Sequence, residues 1–179
     1  MDLLATLLLS HLVADFPLQT GWVFRLKLRH WGGILLHAAI HSGATAFVLY
    51  PSADNWPVLI TIWLIHAIID RMKLFIKTDY LGLGFLVDQF AHGLSLVWIA
   101  SWASNAAGVI SPRFLYPLLA YALIPMIFMY ISALTVDLNY RNPGYFTWPQ
   151  NEYLQPKLLS QLSGYLLVVA VIIFRFWVN

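Results

Sequence analysis

The sequence predicts an all-α integral membrane bundle of about six transmembrane helices, forming a single polytopic domain over residues 1–179. The chain is 60% hydrophobic and only 10% charged, with a mean hydropathy of +0.73. That is more apolar material than a soluble core of this size would bury. The long apolar runs also lack the alternation of barrel strands, so helices must satisfy the backbone hydrogen bonds in lipid.

Six apolar segments define the predicted helices. The first begins with Asp2 instead of a basic region, so we expect a retained helix and not a cleaved signal. Pro57 suits the first turn of the third segment, and Pro125 is expected to kink the fifth. The predicted spans are residues 2–16, 31–50, 56–75, 82–104, 113–136 and 157–177. The first four form a motif-bearing core over residues 1–104, and residues 113–179 supply two further helices.

The distribution of basic residues predicts the orientation of the bundle. Eight of the ten Lys and Arg residues lie in the first, third and fifth connections. The positive-inside rule places this side in the cytoplasm, so both termini are expected on the opposite side. The cytoplasmic set is Arg25, Lys27, Arg29, Arg71, Lys73, Lys77, Arg141 and Lys157, whereas Arg113 and Arg175 lie on the other side.

Side chains that can bind metal occur in pairs along the first four predicted helices. The two members of each pair are four residues apart, so they project from one helix face, one turn apart. Ionisable residues are costly inside apolar segments and commonly mark a function there. The pairs are His11/Asp15, His37/His41, His66/Asp70 and Asp88/His92.

The antiparallel order of these helices places all four pairs at one depth. The first and third helices run toward the cytoplasm and carry their pairs near their ends, whereas the second and fourth carry theirs near their beginnings. We therefore expect two stacked layers inside helices one to four, as in bundle-core metal sites. The deeper layer would hold His11, His41, His66 and His92, and the shallower layer Asp15, His37, Asp70 and Asp88.

These eight residues are candidate ligands for one or two divalent transition metal ions. The chain has no cysteine, so the donors are nitrogen and oxygen. Five imidazoles and three carboxylates suit Zn²⁺, Fe²⁺ or Mn²⁺ better than Mg²⁺, Ca²⁺ or Cu⁺. An aspartate could bridge two ions, or some of the eight residues could orient the others around one ion. A proton or ion pathway and structural hydrogen bonding between helices are the alternative interpretations.

These motifs resemble a known protein family. Residues 11–19, 66–73 and 88–92, together with His37 and His41, are similar to a family of small bacterial membrane proteins of unknown function. The resemblance covers about residues 1–95 and implies a bacterial inner membrane location. The His-x-x-x-Asp elements are also weakly similar to those of inner-membrane metal-dependent hydrolases.

The leading functional hypothesis is a membrane-embedded metal-dependent hydrolase acting on a lipid or lipid-linked substrate from the cytoplasmic leaflet. A metal would supply an acidified water, and Asp15, Asp70 or Asp88 would act as catalytic base. Membrane lipid and a phosphate-bearing substrate are the expected partners, and nucleic acid is not. The sequence does not define an oligomeric state. The candidate substrate residues are Gln19, Arg71, Lys73 and Gln89, of which the two glutamines could instead donate to a residue that orients the metal ligands.

Two other functional classes stay open at this stage. A di-iron membrane oxidase, desaturase or hydroxylase would share the H-x-x-x-H spacing of His37 and His41, although the adjacent-histidine boxes of such enzymes are absent. A divalent-cation or proton transporter could use the same His and Asp groups. Eight ligands would hold an ion too tightly for easy release, however, and release is what conduction requires.

Overall fold

The computed structural model of the chain describes residues 2–75, 80–141 and 154–177. Over these ranges the protein is all-helical, with seven α-helices and no strand. A short 3-10 turn, Ala53–Asn55, precedes the fourth helix. The helices are α1 (Asp2–Asp15), α2 (Gly21–Arg29), α3 (Trp31–Val48), α4 (Trp56–Lys73), α5 (Leu81–Trp102), α6 (Pro112–Arg141) and α7 (Leu154–Trp177).

The six predicted helices correspond to α1 and to α3 through α7, and α2 is an additional helix. It lies in a segment that the sequence analysis treated as a connection. Thr20 marks its beginning, because the Thr20 hydroxyl oxygen accepts a hydrogen bond from the Val23 amide at 3.4 Å. Helix α6 is also longer than the predicted span 113–136, since it continues to Arg141.

Three helices of the described chain, and not six, are long and apolar enough to cross a membrane on their own. They are α5, residues 112–138 of α6 and residues 158–176 of α7. Helix α1 has only 14 residues, whereas a span needs about 20. Helices α3 and α4, which carry the paired histidines and Asp70, have 18 residues each and are not among the three.

Helices α1, α3, α4 and α5 pack in a ring, in which α3 and α5 each contact both α1 and α4. Helix α1 is buried on almost every side because α6 and α7 cover its outer face. On that face, Leu9 and Leu12 pack with Leu167 of α7. On the other, Leu7 packs with Ile99 of α5. The helix therefore lies inside the bundle despite its short length, as expected for a helix that is apolar all round.

Small hydroxyl residues hold the ring helices together. The Ser10 and Thr45 hydroxyl groups are 3.0 Å apart and join α1 to α3. The Ser42 hydroxyl donates a hydrogen bond to the Leu59 carbonyl at 2.9 Å and joins α3 to α4. Such short polar side chains let apolar helices approach closely while their hydrogen bonds fix the register.

Asp137 of α6 closes the beginning of α5. Its two carboxylate oxygens accept hydrogen bonds from the backbone amides of Leu81 and Gly82, at 2.8 and 2.7 Å. These amides belong to the first turn of α5 and have no acceptor within their own helix. A negative charge at this position also complements the helix dipole. Asp137 therefore has a structural role that accounts for its burial.

The outer faces of α5, α6 and α7 expose large apolar side chains. Val97 of α5, Ile127 of α6 and Val169 of α7 are each about half exposed. Contiguous apolar surface of this kind is unusual on a soluble protein and is typical of a face that contacts lipid. This surface agrees with the length and composition of the three candidate spans.

The close approach of α2 and α3 depends on Gly33, and this contact gives a testable prediction. A Cβ atom at Gly33 would overlap the backbone of Leu26 and Lys27, whereas a Cβ atom at Gly32 meets nothing within 4 Å. We expect Gly33→Ala to lower the free energy of unfolding by about 1–3 kcal/mol, because α2 must move away. Gly32→Ala is the matched control. Thermal unfolding in detergent measures both variants, and equal midpoints would contradict this packing.

Candidate metal centre

The eight paired residues meet inside the ring formed by α1, α3, α4 and α5. Among the described residues, their donor atoms form three groups, and within each group all donor atoms lie within 4.8 Å of one another. His66 belongs to the first two groups and His92 to the last two, so the cluster is continuous. The groups are Asp15/His37/His41/His66, His11/His66/His92 and Asp70/Asp88/His92.

The four histidines of the predicted deeper layer contact one another. The ring centroids of His41 and His66 are 3.5 Å apart and those of His66 and His92 are 4.2 Å apart, both in stacked geometry. His11 completes the layer, with its ring centroid 4.9 Å from that of His41 and 5.0 Å from that of His92. The four imidazoles thus lie together, and His37, which was expected in the shallower layer, also packs against His41 and His66. This arrangement follows from the four-residue spacing, which turns every pair toward the axis of the ring.

The tightest set of donor atoms comes from α1 and α3. Asp15 Oδ1 lies 3.1 Å from His37 Nε2 and 3.2 Å from His41 Nε2, and the two nitrogens are 3.3 Å apart. Ligands bound at about 2.0–2.1 Å to a tetrahedral ion are about 3.3–3.4 Å from one another. The three atoms therefore have nearly the size of one face of a zinc-type coordination tetrahedron. His66 is the fourth donor of this group.

Two glutamines contact this set from outside. Gln89 Nε2 donates a hydrogen bond to Asp15 Oδ2 at 3.0 Å, which leaves Asp15 Oδ1 facing the histidines. Gln19 Nε2 lies 2.9 Å from His37 Nε2. Both glutamines, which are predicted substrate residues, thus lie against candidate ligands. The Gln89 contact is of the kind that orients a metal ligand, because it leaves Asp15 Oδ1 free. The Gln19 amide instead lies against the donor atom of His37 itself, so it must turn away when an ion binds there.

Several buried polar atoms of the cluster have no hydrogen-bond partner. They include His11 Nε2, His66 Nε2, Asp70 Oδ2 and Asp88 Oδ1. Each lies close to another donor atom without hydrogen-bond geometry, as in the 3.5 Å separation of His66 Nε2 and Asp70 Oδ2. Buried polar atoms rarely lack a partner. A cation among these lone pairs would satisfy them, so the residues present fit a bound metal ion.

Two lysines bind the carboxylates of the third group. Lys27 of α2 is buried, and its ammonium group donates to Asp70 Oδ1 at 3.1 Å. Lys73 pairs with Asp88 Oδ2 and stays partly exposed. The sequence analysis missed Lys27 as a site residue because it treated residues 17–30 as a connection. The signal was Val23, four residues earlier, which shares the buried face of α2 with Lys27.

Arg71, another predicted substrate residue, lies outside the cluster. Its guanidinium packs over the rings of Trp31, at 4.4 Å, and Phe75, at 4.8 Å. These cation–π contacts tie the end of α4 to the beginning of α3. Among the predicted basic residues, Lys77 lies outside the described residues, as do the side chains of Arg141 and Lys157.

A small cavity lies at the deeper side of the cluster. It has a volume of about 10 Å³, touches His11, His41, His66 and His92, and has room for about one water molecule. Four buried apolar residues also line it, together with the hydroxyl residues Thr45 and Ser95; the apolar residues are Leu7, Ile62, Leu96 and Ile99. A molecule larger than water does not fit in this cavity.

The fold and the cluster define a helical protein with candidate membrane spans and buried His/Asp groups that can hold a metal ion. The chain belongs to the family described as "Protein of unknown function (DUF3307)", and the match covers residues 3–117. This range includes all four pairs and ends within α6. The match brings neither an activity nor a similarity to metal-dependent hydrolases. Comparisons with curated proteins and with solved structures find no match.

His41 provides a direct test of metal binding by the cluster. Asp15 Oδ1, His37 Nε2 and His41 Nε2 form a donor triangle. Because His41 Nε2 is one of its corners, we expect His41→Ala to weaken metal binding by at least about tenfold. Elemental analysis after purification without chelator measures the metal content. His30→Ala is the matched control, since His30 is exposed and lies outside the three groups. Equal metal content in the two variants would contradict metal binding at the cluster.

Proposed function

We propose that this protein is a membrane-embedded, metal-dependent hydrolase acting on a lipid or lipid-linked phosphate ester from the cytoplasmic leaflet, with Zn²⁺, Fe²⁺ or Mn²⁺ as its metal. One observation carries the proposal. The donor atoms of Asp15, His37 and His41 lie 3.1–3.3 Å apart in a buried bundle, at the spacing of metal ligands.

Each residue of the donor triangle has a defined part in this chemistry. Asp15, His37 and His41 would hold the ion, and Gln89 would orient Asp15 through its second oxygen. Three protein ligands leave a fourth position for water, as is usual in catalytic zinc sites. The bound ion supplies Lewis-acid chemistry and acidifies that water. His66 faces this group from α4 and would accept a hydrogen bond from that water.

Asp88 is the best-placed catalytic base of the three candidate aspartates. Asp15 belongs to the donor triangle, and Asp70 is only 2% exposed. Asp88 belongs to the shallower layer, and its Oδ1 atom has no hydrogen-bond partner. Its other oxygen is held by Lys73, whose side chain is 44% exposed. Asp88 would therefore accept a proton from a water molecule at the shallower layer, and His66 and His92 would link it to the donor triangle.

The surroundings of the shallower layer support a lipid substrate. Helix α2 covers this side and exposes Trp22 and Phe24 beside Arg25 and Arg29. Aromatic and basic side chains in this combination are typical of a helix lying at a membrane surface. We propose that α1 and α3 through α7 lie in a bacterial inner membrane with both termini outside the cytoplasm. A phosphate headgroup would then meet the basic residues first.

The number of candidate ligands favours hydrolysis over transport. Eight potential ligands in one cluster would hold an ion tightly, whereas a transporter must release its ion. A di-iron oxidase is the second candidate, because His66 and His92 each join two donor groups and two ions could lie side by side. Oxygen consumption and optical absorption distinguish such an enzyme from a hydrolase.

Asp88→Asn tests the proposed mechanism. The substitution keeps the size of the side chain but removes the base, so we expect hydrolysis to fall by about 10²–10⁴-fold with unchanged metal content. The assay uses metal-loaded protein and phosphate monoester, phosphate diester and carboxylic ester lipids in mixed micelles. Asp54→Asn is the matched control, because Asp54 is exposed and far along the chain from the cluster.

Three results would contradict the proposed function. The first is the absence of hydrolysis of every lipid ester by the metal-loaded wild-type protein. The second is metal-dependent oxygen consumption with acyl-chain oxidation, which would identify the oxidase. The third is uptake of the ion into vesicles containing the purified protein, which would identify the transporter.

A further inference from the structure

We propose that the centre holds one divalent ion, bound at the donor triangle of Asp15, His37 and His41, and that Lys27 and Lys73 take the place of a second ion. This inference rests on the proposed metal site and goes beyond it, because eight potential ligands by themselves would allow two ions. It also defines a positioning role for Lys27, a residue of the additional helix α2.

The two ends of the cluster differ in how their carboxylates are neutralised. Lys27 Nζ lies 3.1 Å from Asp70 Oδ1, and Lys73 binds Asp88 Oδ2. Asp15, in contrast, has His11, His37, His41 and Gln89 as its neighbours. The third donor group is thus already paired with two ammonium cations, whereas Asp15 is contacted by imidazoles that can bind an ion and by the uncharged amide of Gln89.

Counting the charges favours one ion. Asp15, Asp70 and Asp88 carry −3, and the two lysines paired with them carry +2, so the centre has a charge of −1 with neutral imidazoles as ligands. One divalent ion changes this to +1, and two would change it to +3. Uncompensated charge is costly among apolar helices. A singly charged phosphate diester would neutralise the +1 state, which agrees with a lipid phosphate as substrate.

The geometry of the carboxylates agrees with this count. A carboxylate commonly bridges two ions with one oxygen on each ion, but Lys27 already holds Asp70 Oδ1. The remaining oxygen, Asp70 Oδ2, lies 3.5 Å from His66 Nε2. In the same way, Asp88 Oδ1 lies 3.6 Å from His92 Nε2 while Lys73 holds the other oxygen. Each lysine therefore turns one oxygen of its carboxylate toward a histidine and opposes a bridge that uses both oxygens.

The position of Lys27 depends on the packing of α2. Helix α2 lies directly on α3 because Gly33 has no side chain, and Thr20 caps its first turn. Lys27 is 8% exposed and reaches Asp70 on α4 from this helix. A lysine that is so deeply buried is costly unless it is paired, and the Asp70 carboxylate provides the partner.

The number of bound ions tests this inference. Metal-free full-length protein is titrated with Zn²⁺ in detergent, and the bound metal is counted by elemental analysis after gel filtration. We expect one ion per chain in the wild type. In the double variant Lys27→Met/Lys73→Met, the freed carboxylates should admit a second ion and raise the count toward two. Arg29→Met is the matched control on α2, because Arg29 is exposed, and its count should stay at one.

The possible results separate this inference from the proposed function. A wild-type count of zero would overturn both. A wild-type count of two would overturn only the single-ion inference, and it would do so even if the double variant failed to fold. A count of one in both the wild type and a double variant of normal thermal stability would overturn the assignment of the lysines. The lysines would then not be the reason why the centre binds one ion and not two.

Discussion

The burial of ionisable side chains among apolar helices is the constraint on which the rest of this structure depends. A carboxylate or a lysine in such surroundings must find a partner, and an unpaired charge would cost several kcal/mol. The ring of α1, α3, α4 and α5 meets this requirement by bringing all eight donor residues together at one depth. Lys27 and Lys73 complete the pairing at one end. At the other end, Asp15 and two histidines present the spacing of metal ligands.

The sequence contains enough information to predict the helices and the meeting of the four pairs. The spacing of His37 and His41, and of the three other pairs, fixes which face of each helix is polar. Alternating helix directions then fix a common depth, and the ring contacts of His41, His66 and His92 agree with the predicted layer. Metal binding and the catalytic roles of these residues are proposals that follow from this meeting.

The remaining features depend on packing that a sequence pattern does not display. Helix α2 has nine residues, and its single buried basic residue, Lys27, looks like an ordinary residue of a cytoplasmic connection. Its partner, Asp70, is 43 residues away in sequence. The sequence predicts about six transmembrane helices, but only three helices of the described chain can span a membrane on their own, and here too packing is the reason. Helix α1 is short, and its burial comes from the helices around it and not from its own length.

The coordination of the bound metal tests the central claim most directly. X-ray absorption at the zinc edge of the Zn²⁺-loaded wild-type protein reports the number and type of ligands around the ion. This account predicts a four-coordinate ion with nitrogen and oxygen neighbours at about 2.0–2.2 Å and the outer-shell scattering of imidazole rings. A six-coordinate shell of oxygen atoms without imidazole scattering would contradict it, because the ion would then lie outside the histidine cluster.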